Sequence, residues 1–333
     1  MTLIAATSTG IVLSDHREAD QDACQEGFQD RFELVHAAGV GFFGIVFYAL
    51  VKSDFAFEQS RLTDDPSRYE GAGGLGKIQA VKICNPMCPS GVKASASYLV
   101  KEITAMRTVW SRMEKSVHLN FVKLHDYSIS NAPWYSMEPV MSGLTLEKLY
   151  VTTQAWQSTV PEELAFHIVD QLTKACLFLY EKCNIVRADT NRENFMLRYP
   201  GRQTPLLPDV VLIDWSLWEE ADAGRIAKDT RKMYEAVFPV LFEGGWTCGA
   251  SHSQLGCAID NATHSKAWLD LYNTMSAKAS SIQRLGEGVA IAAKESRQRV
   301  EADSQVANVV RVLMVTAGDR FTETSLRRAL MTG

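Results

Sequence analysis

Three polar side chains in the middle of the chain are of types that bind Mg²⁺ and accept protons. Asp189 and Asn194 lie five residues apart in a D-x-x-x-x-N loop, and Asp214 directly follows an apolar run. A carboxylate and an amide oxygen suit a hard cation such as Mg²⁺, and a further carboxylate can orient an attacking hydroxyl. These residue types therefore predict a metal-assisted transfer site, in which the amide and one carboxylate would lie beside the metal and the other carboxylate beside the acceptor.

A glycine-rich stretch near the start of the chain could approach phosphate groups. It reads Gly39-Val-Gly41-Phe-Phe-Gly44-Ile-Val46, a G-x-G-x-x-G-x-V pattern between two predicted strands. Glycine lets backbone N–H groups approach phosphate oxygens because it has no Cβ in the way. The same triplet occurs in ordinary hairpin turns, so this pattern alone leaves both interpretations open.

A lysine and a glutamate could supply the charges of such a site. Ala80 and Lys82 alternate on a predicted strand, so they share one face, where Ala80 leaves room for a flat base. Lys82 offers a positive charge to phosphate oxygens. Glu102 lies twenty residues later in a predicted helix and could hold Lys82 in an ion pair. Either residue alone is more often a solvated surface charge.

The elements that must position these residues form a strand-rich first half and a helical second half. The predicted strands of the first half are Phe32–His36, Ile45–Val51, Ile78–Cys84, Phe121–Ile129 and Trp134–Val140. Residues 94–115 are compatible with a helix, and the polar residues 53–76 are predicted to form an exposed excursion. In the second half, apolar residues repeat at helical spacing from Leu164 to Leu179. Short strands are predicted at Val186, Phe195–Arg198 and Val210–Ile213, with helices dominating 225–330. A ligand shared by the two halves would lie in the cleft between them.

Taken in order, these motifs resemble those of the protein-kinase superfamily, from about Phe32 to Asp229. The resemblance implies an α+β, bilobal fold with a polar leader over 1–30, a β-rich N-lobe over 31–140 and a helical C-lobe over 141–333. It also implies ATP and Mg²⁺ as cofactors. The implied nucleotide-binding residues are Gly39, Gly41, Gly44, Val46, Ala80, Lys82, Met137, Glu138 and Val140. The implied catalytic residues are Asp189, Lys82 and Glu102, and the implied metal ligands are Asn194 and Asp214.

The chain departs from the kinase motifs at several positions. The H-R-D triplet is Arg187-Ala188-Asp189, so the arginine that receives a phosphorylated activation loop is replaced by Ala188. D-F-G becomes Asp214-Trp-Ser, and Asn191 stands where Ser/Thr kinases have a lysine, with Arg192 next to it. No A-P-E motif follows. These losses predict a site that is not switched by activation-loop phosphorylation.

The activation segment is also short. If Asp229 is the buried aspartate of the family's helix F, only 14 residues lie between it and Asp214. That length is too small for a full regulated activation segment, and it agrees with the loss of the phosphate-receiving arginine.

Composition narrows the class of protein. The 333 residues carry 34 Lys plus Arg against 39 Asp plus Glu, a net charge of −5, so nucleic acid is not an expected partner. No apolar run approaches the roughly 20 residues of a membrane span. The seven scattered cysteines favour thiols in a reducing compartment and a cytoplasmic location.

The sequence thus predicts an ATP- and Mg²⁺-dependent kinase that phosphorylates Ser/Thr hydroxyls of a protein substrate. Two alternatives stay open, a pseudokinase that serves as a nucleotide-responsive binding module and a kinase with a small-molecule acceptor. The replacements at Ala188, Asn191, Trp215 and Ser216 favour the binding module. Retention of the lysine, both aspartates and the asparagine favours an enzyme, and the short activation segment favours a small acceptor.

Two other patterns are set aside. Residues 71–77 nearly spell a P-loop, but Ile78 stands at the Ser/Thr position and a strand follows, where the motif needs a helix N-terminus. Cys248, His252, Cys257 and His264 could in principle hold zinc, but their spacing matches no tight finger pattern.

Overall fold

A five-stranded antiparallel sheet forms the first half of the protein in the computed structural model. The strands are β1 (Phe32–Val40), β2 (Gly44–Val51), β3 (Gln79–Cys84), β4 (Leu124–Ser128) and β5 (Trp134–Met137), in the order β1-β2-β3-β5-β4. The described residues are 27–64, 75–141, 144–156, 160–198, 207–242, 265–276, 281–302, 307–312 and 322–332. The predicted strands of this half therefore form, and β5 ends at Met137, earlier than the sequence suggested.

The alternation of side chains gives the sheet two different faces. One face carries the apolar side chains of Phe47, Val81 and Trp134, which pack with the turn that precedes β1. The opposite face carries Ala80 and Lys82, because successive strand residues point to opposite sides. The charged and small residues singled out in the sequence therefore share one side of the sheet.

Among the described residues of this half, two α-helices are inserted between the strands. They are α1 (Lys52–Asp64) and α2 (Val92–Ser111). The expectation that the region after β2 is an exposed excursion was wrong for α1, because Phe55 and Leu62 are seven residues apart and fall on one buried helix face. In α2, Leu99, Ile103 and Met106 form the corresponding buried stripe, which fixes the orientation of the helix against the sheet.

The second half is built mainly of helices. They are α3 (Leu146–Ala155), α4 (Glu162–Phe178), α5 (Ala223–Phe242), α6 (Lys266–Ser276) and α7 (Ile282–Ala302). Helix α4 lies in the middle of the core and packs along α7. It ends in a single wide turn, Leu179–Cys183, after which Asn184 adopts a left-handed backbone conformation (φ 58°) that reverses the chain.

Two short antiparallel pairs of strands follow α4. The first pairs β6 (Ile185–Arg187) with β9 (Trp218–Glu220), and the second pairs β7 (Phe195–Arg198) with β8 (Asp209–Leu212). Strand β9 was not predicted, because Trp-Glu-Glu carries no apolar alternation of its own. The pairing partner β6 supplies the backbone hydrogen bonds that make it a strand.

The last helix, α8 (Glu323–Thr332), does not join the helical half. Leu326 and Leu330 are buried against Tyr48 and Leu50 of the sheet, and Gln59 of α1 donates to the Leu330 carbonyl at 3.2 Å. The assignment of all residues after 140 to the helical lobe is therefore wrong for α8, although the other domain boundaries stay predictions. The two leucines are four residues apart and need an apolar surface, which α1 and β2 provide.

Within the described ranges, no helix combines the length and the apolar character that crossing a bilayer requires. The cysteines of these ranges are buried thiols, at positions 84, 88, 176 and 183, rather than disulfides. A cytoplasmic location stays a prediction. The leader 1–30 falls mostly outside the described residues, as do the glycines at 71–74 and all four candidate zinc ligands.

Candidate functional site

The ammonium group of Lys82 lies between two carboxylates from distant parts of the chain. Its Nζ is 2.8 Å from Glu102 Oε2 on α2 and 3.4 Å from Asp214 Oδ1, which follows β8. Lys82 and Glu102 are buried, whereas a third of the Asp214 side chain is exposed. The Lys82 ammonium group therefore connects the sheet to α2 and to the segment after β8.

The close approach of β2 and β3 depends on a glycine. A Cβ on Gly44 would lie 2.6 Å from Lys82 Cε and 3.0 Å from the Ile83 carbonyl oxygen. The first separation is shorter than real Cβ contacts show, so a side chain at this position would displace the end of Lys82, and the second is a tight contact with sheet backbone. Gly44 thus leaves room for the observed path of the Lys82 side chain.

Electrostatics keep the lysine and the exposed aspartate charged. Burial alone would lower the pKa of Lys82, but the Asp214 and Glu102 carboxylates raise it above its ordinary value. For Asp214, burial acts to raise the pKa, and the Lys82 charge with hydrogen bonds from Ser216 outweighs it and lowers the pKa to about 2. The site therefore presents an ammonium group and an ionised carboxylate at neutral pH.

The loop after β6 holds the Asp189 carboxylate through two amides. Asn191 Nδ2 donates to Asp189 Oδ1 at 3.1 Å, and Asn194 Nδ2 donates to Oδ2 at 3.1 Å and to the Asp189 carbonyl at 2.9 Å. Asp189 itself is half-buried, so a solvent molecule or a ligand can reach it. The five-residue spacing seen in the sequence places the asparagine where its amide can orient this carboxylate.

The β7–β8 hairpin brings Asn194 and Asp214 together. Phe195 pairs with Leu212, and the Ile213 N–H donates to the Asn194 carbonyl at 3.1 Å, so the two candidate metal ligands flank the open end of the hairpin. Asp214 has a left-handed backbone (φ 58°), which a non-glycine residue adopts only when its surroundings support it.

The donor set at this point fits a magnesium ion. The recorded contacts of the Asp214 carboxylate, to Ser216 and Lys82, all involve Oδ1, which leaves Oδ2 for a cation. The amide nitrogen of Asn194 is turned to Asp189, so its amide oxygen is the other available donor. One carboxylate and one amide suit Mg²⁺, which takes few protein ligands and keeps waters or phosphate oxygens.

A buried arginine, which the sequence analysis did not interpret, supports these ligands. The Arg187 guanidinium donates to the backbone carbonyls of Asn194, Ile213 and Asp214 and lies over the Trp215 ring at 5.1 Å. It is 3 % exposed, and burial lowers its pKa. Its position at the start of the R-A-D triplet was the available signal, since a basic residue at the end of a buried strand needs acceptors nearby.

Asp229 of α5 holds the loop that carries Asp189. Its carboxylate accepts hydrogen bonds from the Tyr180 hydroxyl at 2.8 Å, from the Arg187 backbone N–H at 3.2 Å and from the Thr190 hydroxyl. Burial raises the pKa of Asp229, and these donors oppose the rise. The carboxylate therefore fixes the backbone on both sides of Asp189, which agrees with the interpretation of Asp229 as a buried structural aspartate.

Comparisons of the sequence with protein-family models and with curated proteins gave no match. A comparison of the coordinates with solved structures matches, among many others, the crystal structure of the BubR1 kinase domain. The TM-score is 0.57 over 85 % of each chain, at 14 % sequence identity. The chain has a bilobal protein-kinase-like fold. At this identity the similarity extends to the fold and not to an activity.

In this kinase-like fold, the glycine-rich loop (Gly39–Gly44) is tied to the neighbouring elements. Asn85 Nδ2 donates to the Gly41 carbonyl at 2.8 Å, and the Ser95 hydroxyl donates to the Phe43 carbonyl. The Phe43 ring packs on Tyr98 of α2 with ring centroids 3.8 Å apart. The loop is therefore held against β3 and α2 rather than standing free.

The residues expected at the base-binding end line one region of the sheet and the segment after β5. Val46 lies opposite Lys82 in the β2–β3 register, and Ala80 lies between Tyr48 and Met137. The Tyr48 hydroxyl donates to the Val140 carbonyl at 3.2 Å. Tyr48 was not singled out in the sequence, although strand alternation places it on the same face as Val46.

Two charged residues near the site are engaged in ion pairs. Arg192, next to the position where Ser/Thr kinases have a lysine, lies 2.6 Å from Glu147 and over the Tyr150 ring. Glu138 pairs with Arg198 at 2.8 Å, and its backbone N–H donates to the Lys123 carbonyl. The Arg192 side chain is therefore directed to α3.

Proposed function

We propose that this protein is an ATP- and Mg²⁺-dependent kinase that transfers phosphate to Ser/Thr hydroxyls of a protein substrate. The observation that supports it most is the position of Lys82 between Glu102 and Asp214, next to the hairpin end that carries Asn194. An ammonium group, a pair of hard metal donors and a separate carboxylate are the parts that phosphoryl transfer requires.

In this proposal Lys82 binds the α- and β-phosphates of ATP, and Glu102 is a positioning residue for Lys82. Glu102 also accepts the Trp215 backbone N–H at 2.9 Å, so the same carboxylate fixes the segment after Asp214. Gly39, Gly41 and Gly44 line the phosphates from above, and Val46, Ala80, Met137, Glu138 and Val140 surround the base.

Asn194 and Asp214 hold Mg²⁺, which when bound neutralises charge that develops on the phosphate oxygens. Asp189 orients the acceptor hydroxyl and accepts its proton as the bond from oxygen to phosphorus forms and the bond to the leaving ADP oxygen breaks. The hydrogen bonds from Asn191 and Asn194 keep the Asp189 carboxylate in one orientation. A general base needs such a fixed orientation toward the proton that it accepts.

The site is assembled without a phosphorylated loop in this proposal. Residues 215–222 connect Asp214 directly to α5 through β9, and Ala188 offers no charge to a phosphate. Treatment of the purified protein with a phosphatase is therefore expected to leave its activity unchanged. A large fall in activity after that treatment would contradict this part of the proposal.

The experiment that tests the enzyme is transfer of radiolabelled phosphate from ATP to protein substrates, with wild type beside Asp214→Asn. Loss of transfer in Asp214→Asn, with full transfer in the control Asp270→Asn, supports the proposal, because Asp270 lies exposed on α6 away from the site. Equal activity of wild type and Asp214→Asn would exclude the proposed metal role.

A nucleotide-responsive binding module is the second candidate function, and one observation favours it. The glycine-rich loop is held by Asn85 and by the Phe43–Tyr98 contact, an arrangement that a closed, non-catalytic cleft would also use. Thermal unfolding with ATP, with and without Mg²⁺, separates the two. Stabilisation by ATP that depends on Mg²⁺ supports the enzyme. The absence of Mg²⁺-dependent stabilisation supports the binding module. Phosphate transfer to a metabolite but to no protein would instead establish the small-molecule kinase.

A further inference from the structure

A pocket with basic walls opens beside the loop that carries Asp189. It is a small surface pocket, with a cavity volume of about 30 Å³ and an open mouth, and its lining includes Ala188 and three cations of α5, namely Arg225, Lys228 and Lys232. These three residues are at positions i, i+3 and i+7, so they share one helix face. Such a concentration of positive charge stands out in a chain whose net charge is −5.

The two carboxylates in the lining do not pair with the two lysines of this helix face. Glu219 pairs with Arg225 at 3.0 Å, and Asp229 is occupied by its hydrogen bonds from Tyr180 and the Arg187 backbone. Within the part of the chain that the structure describes, neither Lys228 nor Lys232 forms an ion pair. Lys232 donates to the Ala188 carbonyl, which holds its ammonium group at the wall of the pocket.

The pocket adjoins the candidate acceptor position. Ala188 directly precedes Asp189, and its N–H is held by the Leu217 carbonyl at 2.8 Å. Of residues 215–222, all of which are described, Glu219 alone lines the pocket, so the connection from Asp214 to α5 leaves it open. An anionic group bound there would lie against Ala188, the residue that precedes Asp189 in the chain.

We infer that this pocket binds an acidic side chain of the substrate, so the acceptor hydroxyl belongs to an acidic protein segment. Lys228 and Lys232 supply the attraction, and the loss of a basic residue at Ala188 supplies the space. Two cations that face one concave surface raise the local concentration of anionic ligands, and the effect weakens with salt. This inference rests on the phosphotransfer proposed above.

Binding tests the inference without requiring activity. Two fluorescent peptides of equal length carry one serine, flanked either by glutamates or by glutamines, and their anisotropy is measured with wild type, Lys228→Glu and Lys294→Glu. We expect wild type to bind the acidic peptide roughly tenfold more tightly than the neutral one, and Lys228→Glu to lose that preference. Lys294→Glu, an exposed change on α7, keeps the preference. Equal binding of the two peptides by wild type, or a preference that survives Lys228→Glu, overturns the inference.

Transfer of phosphate to the same peptides then separates this inference from the proposed function. Transfer that favours the acidic peptide in wild type, and a smaller acidic-to-neutral ratio of kcat/KM in Lys228→Glu, supports both. Transfer to both peptides at equal kcat/KM overturns the inference and leaves the kinase proposal standing. Absence of transfer to either peptide, with selective binding of the acidic one, contradicts the kinase proposal and supports an anion-binding pocket.

Discussion

Glu102 joins Lys82 to Trp215. One carboxylate oxygen lies 2.8 Å from the Lys82 ammonium, and the other accepts the Trp215 backbone N–H at 2.9 Å. The side chain is fully buried, so its charge needs both partners. A single residue of α2 thereby couples the sheet to the segment that carries Asp214, and a shift of this helix would disturb the lysine and the candidate metal ligand together.

The first prediction concerns the charge on Glu102. Glu102→Gln keeps an oxygen for the Trp215 N–H but removes the ion pair with Lys82, so kcat/KM for phosphate transfer should fall at least tenfold with little change in KM for the acceptor. Steady-state kinetics check this, with Glu287→Gln on the exposed face of α7 as the matched control. A Glu102→Gln enzyme with wild-type kinetics would show that the ion pair does not position Lys82.

The second prediction separates chemistry from folding at Asp189. Asp189→Asn removes the proposed proton acceptor, and turnover should fall by about 10²–10⁴-fold, the range of general base catalysis. The residue is half-buried, one of its two amide neighbours can still donate to the amide oxygen, and Asn194 keeps its bond to the backbone carbonyl of residue 189. The melting temperature should therefore fall only slightly. Single-turnover transfer and thermal unfolding of the same sample measure the two effects. Turnover close to wild type would remove Asp189 from the mechanism.

The third prediction concerns the buried guanidinium of Arg187. Arg187→Ala removes the guanidinium donor from the carbonyls of Ile213 and Asp214 and opens space beside Trp215, so the free energy of unfolding should fall by about 3 kcal/mol. The Asn194 carbonyl keeps its bond from the Ile213 N–H. Arg187→Lys retains a charge but not the planar fork, and should lose an intermediate amount. Urea unfolding checks both, with the exposed Arg284→Ala as control. A loss below about 0.5 kcal/mol for Arg187→Ala, the size of a surface effect, would contradict the assigned role.

The fourth prediction is an acid sensitivity that originates at His167 on α4. Its ring is 4 % exposed, with Nε2 3.0 Å from the Pro208 carbonyl oxygen. Burial and the nearby Arg297 charge lower its pKa to about 4, against opposition from Asp170. Between pH 6.5 and 4 the unfolded chain therefore binds a proton that the folded chain does not, and stability falls as the pH falls through that window.

A substitution can isolate the contribution of His167 to the pH dependence of the free energy of unfolding. A shift from 6.5 to about 4 corresponds to at most about 3 kcal/mol. His167→Gln retains a donor for the Pro208 carbonyl and removes the titration, so its free energy of unfolding should change less between pH 7 and pH 4.5 than that of wild type. Asp214 does not interfere with this comparison. Its pKa is lowered to about 2, so the stability that its ionised form contributes is lost only below about pH 4. Identical pH profiles for the two proteins would refute the assignment.

The fifth prediction concerns the bond between Tyr48 and the segment after β5. Tyr48→Phe leaves the Val140 carbonyl without its donor, and stability should fall by about 1 kcal/mol because the pair is buried. Thermal unfolding measures the loss. Tyr98→Phe, which keeps the ring contact with Phe43, is the matched control and should change stability less. Unchanged stability of Tyr48→Phe would show that the Tyr48 hydroxyl bond contributes nothing.

Much of the sheet could be predicted from the sequence because its signals are local. Short runs of apolar residues that favour strands mark β2 and β3, and the glycine run between the first two strands indicates their hairpin. The buried stripe from Leu164 onward likewise indicates α4. The prediction failed at α1 and at β9, where the deciding contacts come from elsewhere. Phe55 and Leu62 are buried by β2 and by α8, and β9 depends on hydrogen bonds from β6.

The sequence by itself determined which chemical groups this chain can bring to a site, and their order, because residue type and spacing are properties of the chain. It contained Lys82, Glu102, Asp189, Asn194 and Asp214 in the order of a kinase. Only the tertiary structure decided which of their atoms are in contact. It also decided that Arg187 is buried and donates to the carbonyls of a loop, and that the lysines of α5 line a pocket with Ala188. Those facts depend on the packing of segments dozens of residues apart, where the burial of apolar faces and the closure of hydrogen bonds are settled by the whole fold.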